Sequence, residues 1–418
     1  MDTIFAEATP PGRGGVSVVR LSGPKAHATL ESLAGPVATP RMVALRALRD
    51  GDDLIDRALV IWFAEGHSFT GEEVAELHLH GAPVIASRLS QALLARGLRR
   101  AEAGEFTKRA FLNGRIDLAE AEGLADLLSA ETEAQRKLAM RATEGELGRK
   151  ADELRSKLIR AGALIEASID FADEEVPDEV PEEALDLIKA VRSDIQGMLA
   201  SYPATERLRQ GYEVAIIGPP NAGKSTLLNR IGQREIALVS EIAGTTRDIL
   251  ELHTDLRGLP VTFLDTAGLR ESSDPVEAMG VARAVQRAAE ADLRIHLSVD
   301  GVPEETLVGD IIVRSKADLG RGEETAISGL TGEGVAELLD LVYDRLRVRA
   351  ADSGLVGHKR QAEALQRAVA ALAIDDSLAP EFLAEALRQA AQALAMMVGR
   401  VGAEDYLDEI FSSFCIGK

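Results

Sequence analysis

Eight consecutive residues carry the strongest chemical signal in the sequence. Gly218-Pro219-Pro220-Asn221-Ala222-Gly223-Lys224-Ser225 fits the spacing G-x-x-x-x-G-K-S/T. That spacing suits capture of a nucleotide's phosphates. Glycines let backbone N–H groups approach a β-phosphate with no Cβ in the way. Lys224 is expected to bridge two phosphates, and the Ser225 hydroxyl to ligate Mg²⁺. The pattern has meaning only between a strand and a helix. Glu213-Val214-Ala215-Ile216-Ile217 reads as a buried strand, and Thr226-Leu227-Leu228-Asn229-Arg230 opens a helix whose N-terminus adds positive potential.

Further segments complete a nucleotide site. The strand Val261-Thr262-Phe263-Leu264 runs into Asp265-Thr266-Ala267-Gly268, a D-x-x-G element. Asp265 is expected to hold Mg²⁺ through water, and the Gly268 N–H to sense a γ-phosphate. Between the two motifs lies Gly244-Thr245-Thr246-Arg247-Asp248, where Thr246 is expected to complete the Mg²⁺ shell. The strand Ile311-Ile312-Val313 precedes Ser315-Lys316-Ala317-Asp318, at the place where N-K-x-D selects a base. Asp318 would accept from guanine N1 and N2 hydrogens, which adenine cannot offer, so GTP is favoured over ATP. Ser315 stands where asparagine is usual, which weakens whatever contacts the amide would make. Ser328 and Gly329 follow, and the Gly329 N–H could meet guanine O6. The expected GTP contacts are thus Asn221, Ala222, Gly223, Lys224, Ser225 and Thr226; Ser240, Glu241, Ile242, Ala243, Gly244, Thr245 and Thr246; Asp265, Thr266, Ala267 and Gly268; and Ser315, Lys316, Asp318, Ser328 and Gly329.

Hydrolysis needs a group to orient water, commonly a glutamine after D-x-x-G. Leu269 stands there and cannot do it. Glu277 is either a surface carboxylate or the substitute. The positive charge of an arginine finger could come from Arg270 or from a monovalent cation. Asn221 either offers that cation an amide oxygen or only shapes its loop.

These residues need a scaffold. Gln210 to Leu346 alternates strands and helices, the signature of a parallel sheet with flanking helices. Residues 1–117 read as an α+β domain, with strands at Val16-Ser17-Val18-Val19-Arg20-Leu21 and Ala58-Leu59-Val60-Ile61-Trp62-Phe63 and a helix from Val84 to Leu94 entered through Pro83. Residues 118–209 are helical. Leu147, Ala151, Leu154, Leu158, Ile165 and Ile169 share one face, as do Ile188, Val191, Ile195 and Met198. An acidic turn around Pro177 separates the two helices. Helix returns within residues 347–418. Neither helical block makes a good core alone, so they are expected to pack together with 210–346 inserted between them.

Composition bounds the rest. A chain of 418 residues is too long for one core. A net charge of −21 excludes nucleic-acid binding through the overall field. Arg96, Arg99, Arg100, Lys108, Arg109 and Arg115 cluster, but a solvated surface accounts for most of them. One cysteine, Cys415, rules out an internal disulfide framework. No apolar run approaches the ~20 residues that span a bilayer, and the N-terminus does not read as a signal peptide, so the expectation is a cytoplasmic protein with no membrane contact.

At this point the residues resemble a known family, the tRNA uridine-modification GTPases MnmE (TrmE). The resemblance covers essentially the whole chain. It rests on Thr9-Pro10-Pro11-Gly12-Arg13-Gly14-Gly15, on Phe69-Thr70-Gly71-Glu72-Glu73-Val74, on Gly104-Glu105-Phe106-Thr107 with Arg109-Ala110-Phe111-Leu112-Asn113, and on Ile116-Asp117-Leu118-Ala119-Glu120-Ala121-Glu122. Ile242 to Asp248, Asp265 to Arg270, and the end Phe414-Cys415-Ile416-Gly417-Lys418 match as well. The resemblance implies an N-terminal folate-binding domain that forms a homodimer, a discontinuous helical domain and an inserted P-loop G domain. It implies modification of the wobble uridine of certain tRNAs at C5, with a flavin-containing partner, MnmG, in a heterotetramer. A folate, 5-formyl- or methylene-tetrahydrofolate, would supply the one-carbon unit, held by Arg20, Glu76, Arg115 and Lys418. Hydrolysis would be activated by K⁺ on Asn221, Ser240, Ile242 and Thr245, with Glu277 orienting water indirectly. Cys415 is either a functional thiol or a buried side chain near the end. Two other classes compete: a regulatory GTPase of ribosome assembly, and a one-carbon enzyme with a GTPase regulator.

Overall fold

A computed structural model describes residues 2–170, 180–233, 251–265, 286–298, 306, 309–319, 326–373, 379–401, 407, 411, 414 and 417. The chain divides into two compact units, Met1–Ala125 with Ala395–Lys418, and Asp126–Leu394. No helix among the described residues is long and apolar enough to cross a membrane.

The first unit is built on six strands: β1 (Ile4–Glu7), β2 (Val16–Ser22), β3 (Ala44–Asp50), β4 (Asp53–Phe63), β5 (Val74–His80) and β6 (Arg99–Arg100). Their order is β3-β4-β5-β2-β1-β6, and all pairs are antiparallel except β1 with β6. Two helices, α1 (Ala26–Ala34) and α2 (Pro83–Ala95), bury Leu30, Leu33, Leu89 and Leu93 against Val19, Leu21, Val60, Leu77 and Leu79. Each such side chain, taken fully out of water, contributes about 1.5–3 kcal/mol. Pro83 is the first residue of α2, where its missing N–H has no helical acceptor to lose. The expected strand at Ala58 begins earlier, at Asp53, because a tight turn at Gly51 (φ 62°) pairs it with β3. Helix α3 (Glu105–Leu112) sets Phe106 against Ile4, Ala6 and Ala101. The end of the chain belongs to this unit. Phe411 and Phe414 pack with Leu118, and a Cβ on Gly417 would fall 2.5 Å from the Glu7 carbonyl.

The second unit holds α4's last turn (α4 is Leu118–Ser129), α5 (Glu133–Thr143), α6 (Glu146–Asp170) and α7 (Glu182–Gln210). Leu147, Ala151, Leu154, Leu158 and Ile165 are buried on α6, and Ile188, Val191 and Ile195 on α7. The side chain of Ile169 and the acidic turn lie outside the described residues. A second sheet follows: β7 (Tyr212–Ile217), β8 (Glu251–Leu256), β9 (Leu259–Asp265), β10 (Leu293–Ser298), β11 (Ile311–Ser315) and β12 (Ala326–Ile327). The order is β12-β11-β10-β7-β9-β8. The sheet is parallel save for β8, which runs antiparallel to β9. The reason is local. Arg257 and Gly258 take φ 55° and 91°, the two left-handed positions of a two-residue hairpin turn. Helices α8 (Lys224–Gly232) and α9 (Val335–Ala350) cover the sheet, with Leu227, Ile231, Leu338 and Val342 packed on Val214, Ile216, Phe263 and Ile295. Helices α10 (Lys359–Ala371) and α11 (Pro380–Met397) follow among the described residues. His358 at the start of α10 meets Asp126 of α4 at 2.8 Å, and Arg209 of α7 donates to the Gly357 carbonyl at 2.9 Å.

One carboxylate sits where the chain enters and leaves this sheet. Asp292 accepts from the Glu213 N–H at 2.9 Å and pairs with Arg207 of α7 at 3.1 Å. Its carbonyl accepts from Arg349 of α9 at 2.5 Å. Burial pushes its carboxyl above the ordinary range, and the Glu213 N–H and the two arginines oppose that shift.

Candidate nucleotide-binding site

Parallel strands end where the motifs begin. β7 leads into Gly218, Asp265 closes β9, Ser315 closes β11, and Ser328 follows β12. In such sheets the crevice beyond the carboxyl ends is where ligands bind. The sequence therefore delivers distant residues to one edge through strand register alone.

The loop 218–223 has a geometry that its residue types explain. A Cβ at Gly218 (φ 156°) would lie 2.5 Å from the Leu297 carbonyl, so only glycine admits the approach to β10. Asn221 and Gly223 take φ 60° and 96°, which turns the chain back towards α8. Asparagine tolerates that conformation better than most residues with a Cβ. Asn221 is exposed, Ala222 is buried, Ser225 is half-buried and Thr226 is exposed. Lys224 is the first residue of α8 and only 6% exposed. Its Nζ donates to the Gly218 carbonyl at 2.7 Å and the Pro219 carbonyl at 3.0 Å. Burial pushes its ammonium below the ordinary lysine value, and the nearby Asp265 carboxylate opposes the shift. The Asp265 side chain is itself buried. A buried carboxylate, a hydroxyl and a lysine beside a glycine cradle fit a phosphate chain with a hard cation such as Mg²⁺, which prefers oxygen donors.

The residues expected to meet the base are also brought together. Lys316 (φ 64°) turns the chain after β11, and Asp318 lies in a short 3₁₀ turn, Ala317–Leu319. Ser328 is fully buried, and its Oγ donates to Asp318 Oδ1 at 2.6 Å. The Ser315 hydroxyl donates to the Ser298 carbonyl at 3.3 Å. Gly329 lies against the first turn of α8. Ser240, Glu241, Ile242, Ala243, Gly244, Thr245, Thr246, Thr266, Ala267, Gly268, Arg270 and Glu277 lie outside the described residues, as do Cys415 and Lys418.

In the first unit, Arg20 and Glu76 are register partners on β2 and β5. The two-residue period puts both on the face opposite Val19 and Leu77, and Arg20 Nε donates to Glu76 Oε1 at 2.9 Å. The Arg20 guanidinium also lies 5.9 Å from the Phe106 ring centre. Arg115 is exposed, and its stem packs over Gly71.

Two residues were not visible from sequence. Arg109, read there as surface charge, is buried. It donates to both Glu72 oxygens, to Glu105 Oε1 at 2.9 Å and to Asp2 Oδ1 at 2.8 Å. Burial works against Glu105's charge, yet its bonds, with Arg99 foremost, hold it below the ordinary carboxylate range. Arg230, on α8, donates to the Gly329 and Leu330 carbonyls. Arg230 has both partners about a hundred residues away, and Arg109, beside its neighbour Glu105, depends on the distant Asp2 and Glu72, so no local pattern marks the burial of one or the clamp of the other.

Comparison with known proteins shows the family of the chain. The family model of the MnmE helical domain matches residues 118–415, and that of the GTP-binding protein TrmE N-terminus matches residues 3–115. The tRNA modification GTPase MnmE of Roseobacter denitrificans is 51% identical over the full length of both chains. That of Cereibacter sphaeroides is 50% identical, again over the full length of both. This chain belongs to the MnmE (TrmE) family.

Proposed function

We propose that the chain is a GTP hydrolase that works in tRNA modification. It would act with a flavin-containing partner, MnmG, to modify C5 of the wobble uridine, using a folate one-carbon unit. The observation that carries this reading is the delivery of Lys224, Asp265 and Asp318 by parallel strands and their following turns to one sheet edge, in a chain that matches MnmE proteins end to end.

The chain's own groups divide the work. Backbone N–H groups of 221–226 wrap the phosphates, and the Lys224 ammonium moves from loop carbonyls to phosphate oxygens. Mg²⁺, when bound, neutralises phosphate charge; Ser225 and Thr246 are its ligands, with Asp265 acting through water. Asp318, steadied by Ser328, takes the guanine N1 and N2 hydrogens. Asn221, Ser240, Ile242 and Thr245 hold K⁺, and Glu277 orients the attacking water indirectly. Arg20, Glu76, Arg115 and Lys418 hold the folate, with Glu76, paired with Arg20, suited to the pterin edge and the remaining cations to its glutamate tail. The working division is 1–117 for folate and homodimer formation, 118–209 with 347–418 for the helices, and 210–346 for the nucleotide. The setting is the cytoplasm.

Mass spectrometry of tRNA from a deletion strain is expected to find wobble uridines without their C5 group. Unchanged wobble uridines would overturn the reading. Purified protein is expected to hydrolyse GTP several-fold faster in potassium than in sodium. Equal rates would remove K⁺ from the site.

A further inference from the structure

We propose that Arg230 is a positioning residue for the guanine base, holding the loop that presents the Gly329 N–H. The assignment deepens the GTP reading above and rests on it.

Arg230 lies in the second turn of α8, the helix that Lys224 begins. Its side chain bridges to a loop about a hundred residues on. Nε donates to the Gly329 carbonyl at 3.1 Å, and a terminal nitrogen donates to the next carbonyl, that of Leu330. A guanidinium is a rigid planar fork, so two bonds to successive carbonyls fix the orientation of that backbone as well as its place. The loop also lies flush on the helix. A Cβ at Gly329 would fall 2.9 Å from the Leu227 nitrogen, so only glycine allows the contact. Gly332 turns over the same guanidinium, with its ideal Cβ 3.6 Å from Arg230 Nε.

This clamp matters because the base motif is one group short. Ser315 replaces an amide, which has donors and an acceptor, with a single hydroxyl. That hydroxyl donates to Ser298 on the neighbouring strand. Leu330 is 69% exposed, so packing of its side chain does little to hold the loop. Arg230 joins the helix of the phosphate cradle to the base loop, which sets the distance between the two ends of the nucleotide.

The test compares three nucleotides on the full-length protein with Mg²⁺, by competition binding. GTP and inosine triphosphate both keep O6; 6-thio-GTP keeps N1–H and the 2-amino group but has sulfur, a weak acceptor, at position 6. Arg230→Ala is expected to weaken GTP and inosine triphosphate equally, by roughly tenfold, and 6-thio-GTP far less. Arg230→Lys, with one donor head in place of the fork, is expected to fall between parent and alanine, and it carries the test if the alanine variant does not fold. Equal weakening of all three nucleotides, or of none, would overturn the assignment while leaving GTP binding itself intact. Failure of the parent protein to bind GTP would overturn both this assignment and the proposed function.

Discussion

Replacing Lys224 with methionine is expected to lower GTP turnover by roughly 10³-fold, the scale of losing a preorganised charge at a transition state. Methionine keeps much of the stem, which is buried, and removes only the ammonium. The sign of its effect on stability follows from the same burial. Desolvation depresses the lysine's pKa, so holding its charged form is a cost to the fold that is fully present below the lowered value and is relieved as pH rises through it. The variant is therefore expected to melt no lower than the parent while losing activity. Two bonds to the Gly218 and Pro219 carbonyls are lost as well, but these acceptors lie on a loop where water can replace the donor. Steady-state hydrolysis with a thermal melt on the same preparation checks both halves. A folded variant that keeps more than a tenth of parental turnover would remove Lys224 from the chemistry.

The second large effect is a change of base. Asp318→Asn is expected to weaken GTP by about 10³-fold, since two hydrogen bonds to a charged acceptor are worth about 1.5–3 kcal/mol each. It is expected to strengthen xanthosine triphosphate, whose O2 replaces guanine's 2-amino group and needs a donor. The structure supplies the orientation. Ser328 Oγ donates to Asp318 Oδ1 at 2.6 Å, and it can donate equally to the asparagine carbonyl oxygen. The amide nitrogen then takes the outward place that the second carboxylate oxygen held. Competition between the two nucleotides reads the outcome directly. If both weaken together, Asp318 does not face the base.

The strand, loop and helix that carry Lys224 were legible because their signals are local. A strand, a glycine loop and a helix start follow one another within twenty residues, and each signals its own conformation. The helical faces were legible for the same reason: the period of 3.6 is written in consecutive turns, and Leu154, Leu158 and Val191 are buried as that period requires. Strand β3 escaped notice because Ala44–Asp50 lies at a sheet edge and its arginines, Arg46 and Arg49, recur every third residue and break the two-residue period of a strand. The antiparallel β8 was hidden by Arg257, a residue that does not advertise a left-handed turn. Arg109 and Arg230 are charges whose meaning depends on partners brought in by the fold. Composition marks both as surface, and only the three-dimensional arrangement distinguishes a buried ion cluster or a loop clamp from a solvated side chain.

The residue at the entrance of the second sheet has a consequence for how such a chain can arise. Because the start of β7 and the end of α9 converge on Asp292, about 140 residues leave and return at nearly one point. To the surrounding helices, that excursion is equivalent to a short loop. A polypeptide with adjoining ends can be grafted into a host, or taken out again, without asking the host to redraw its own path.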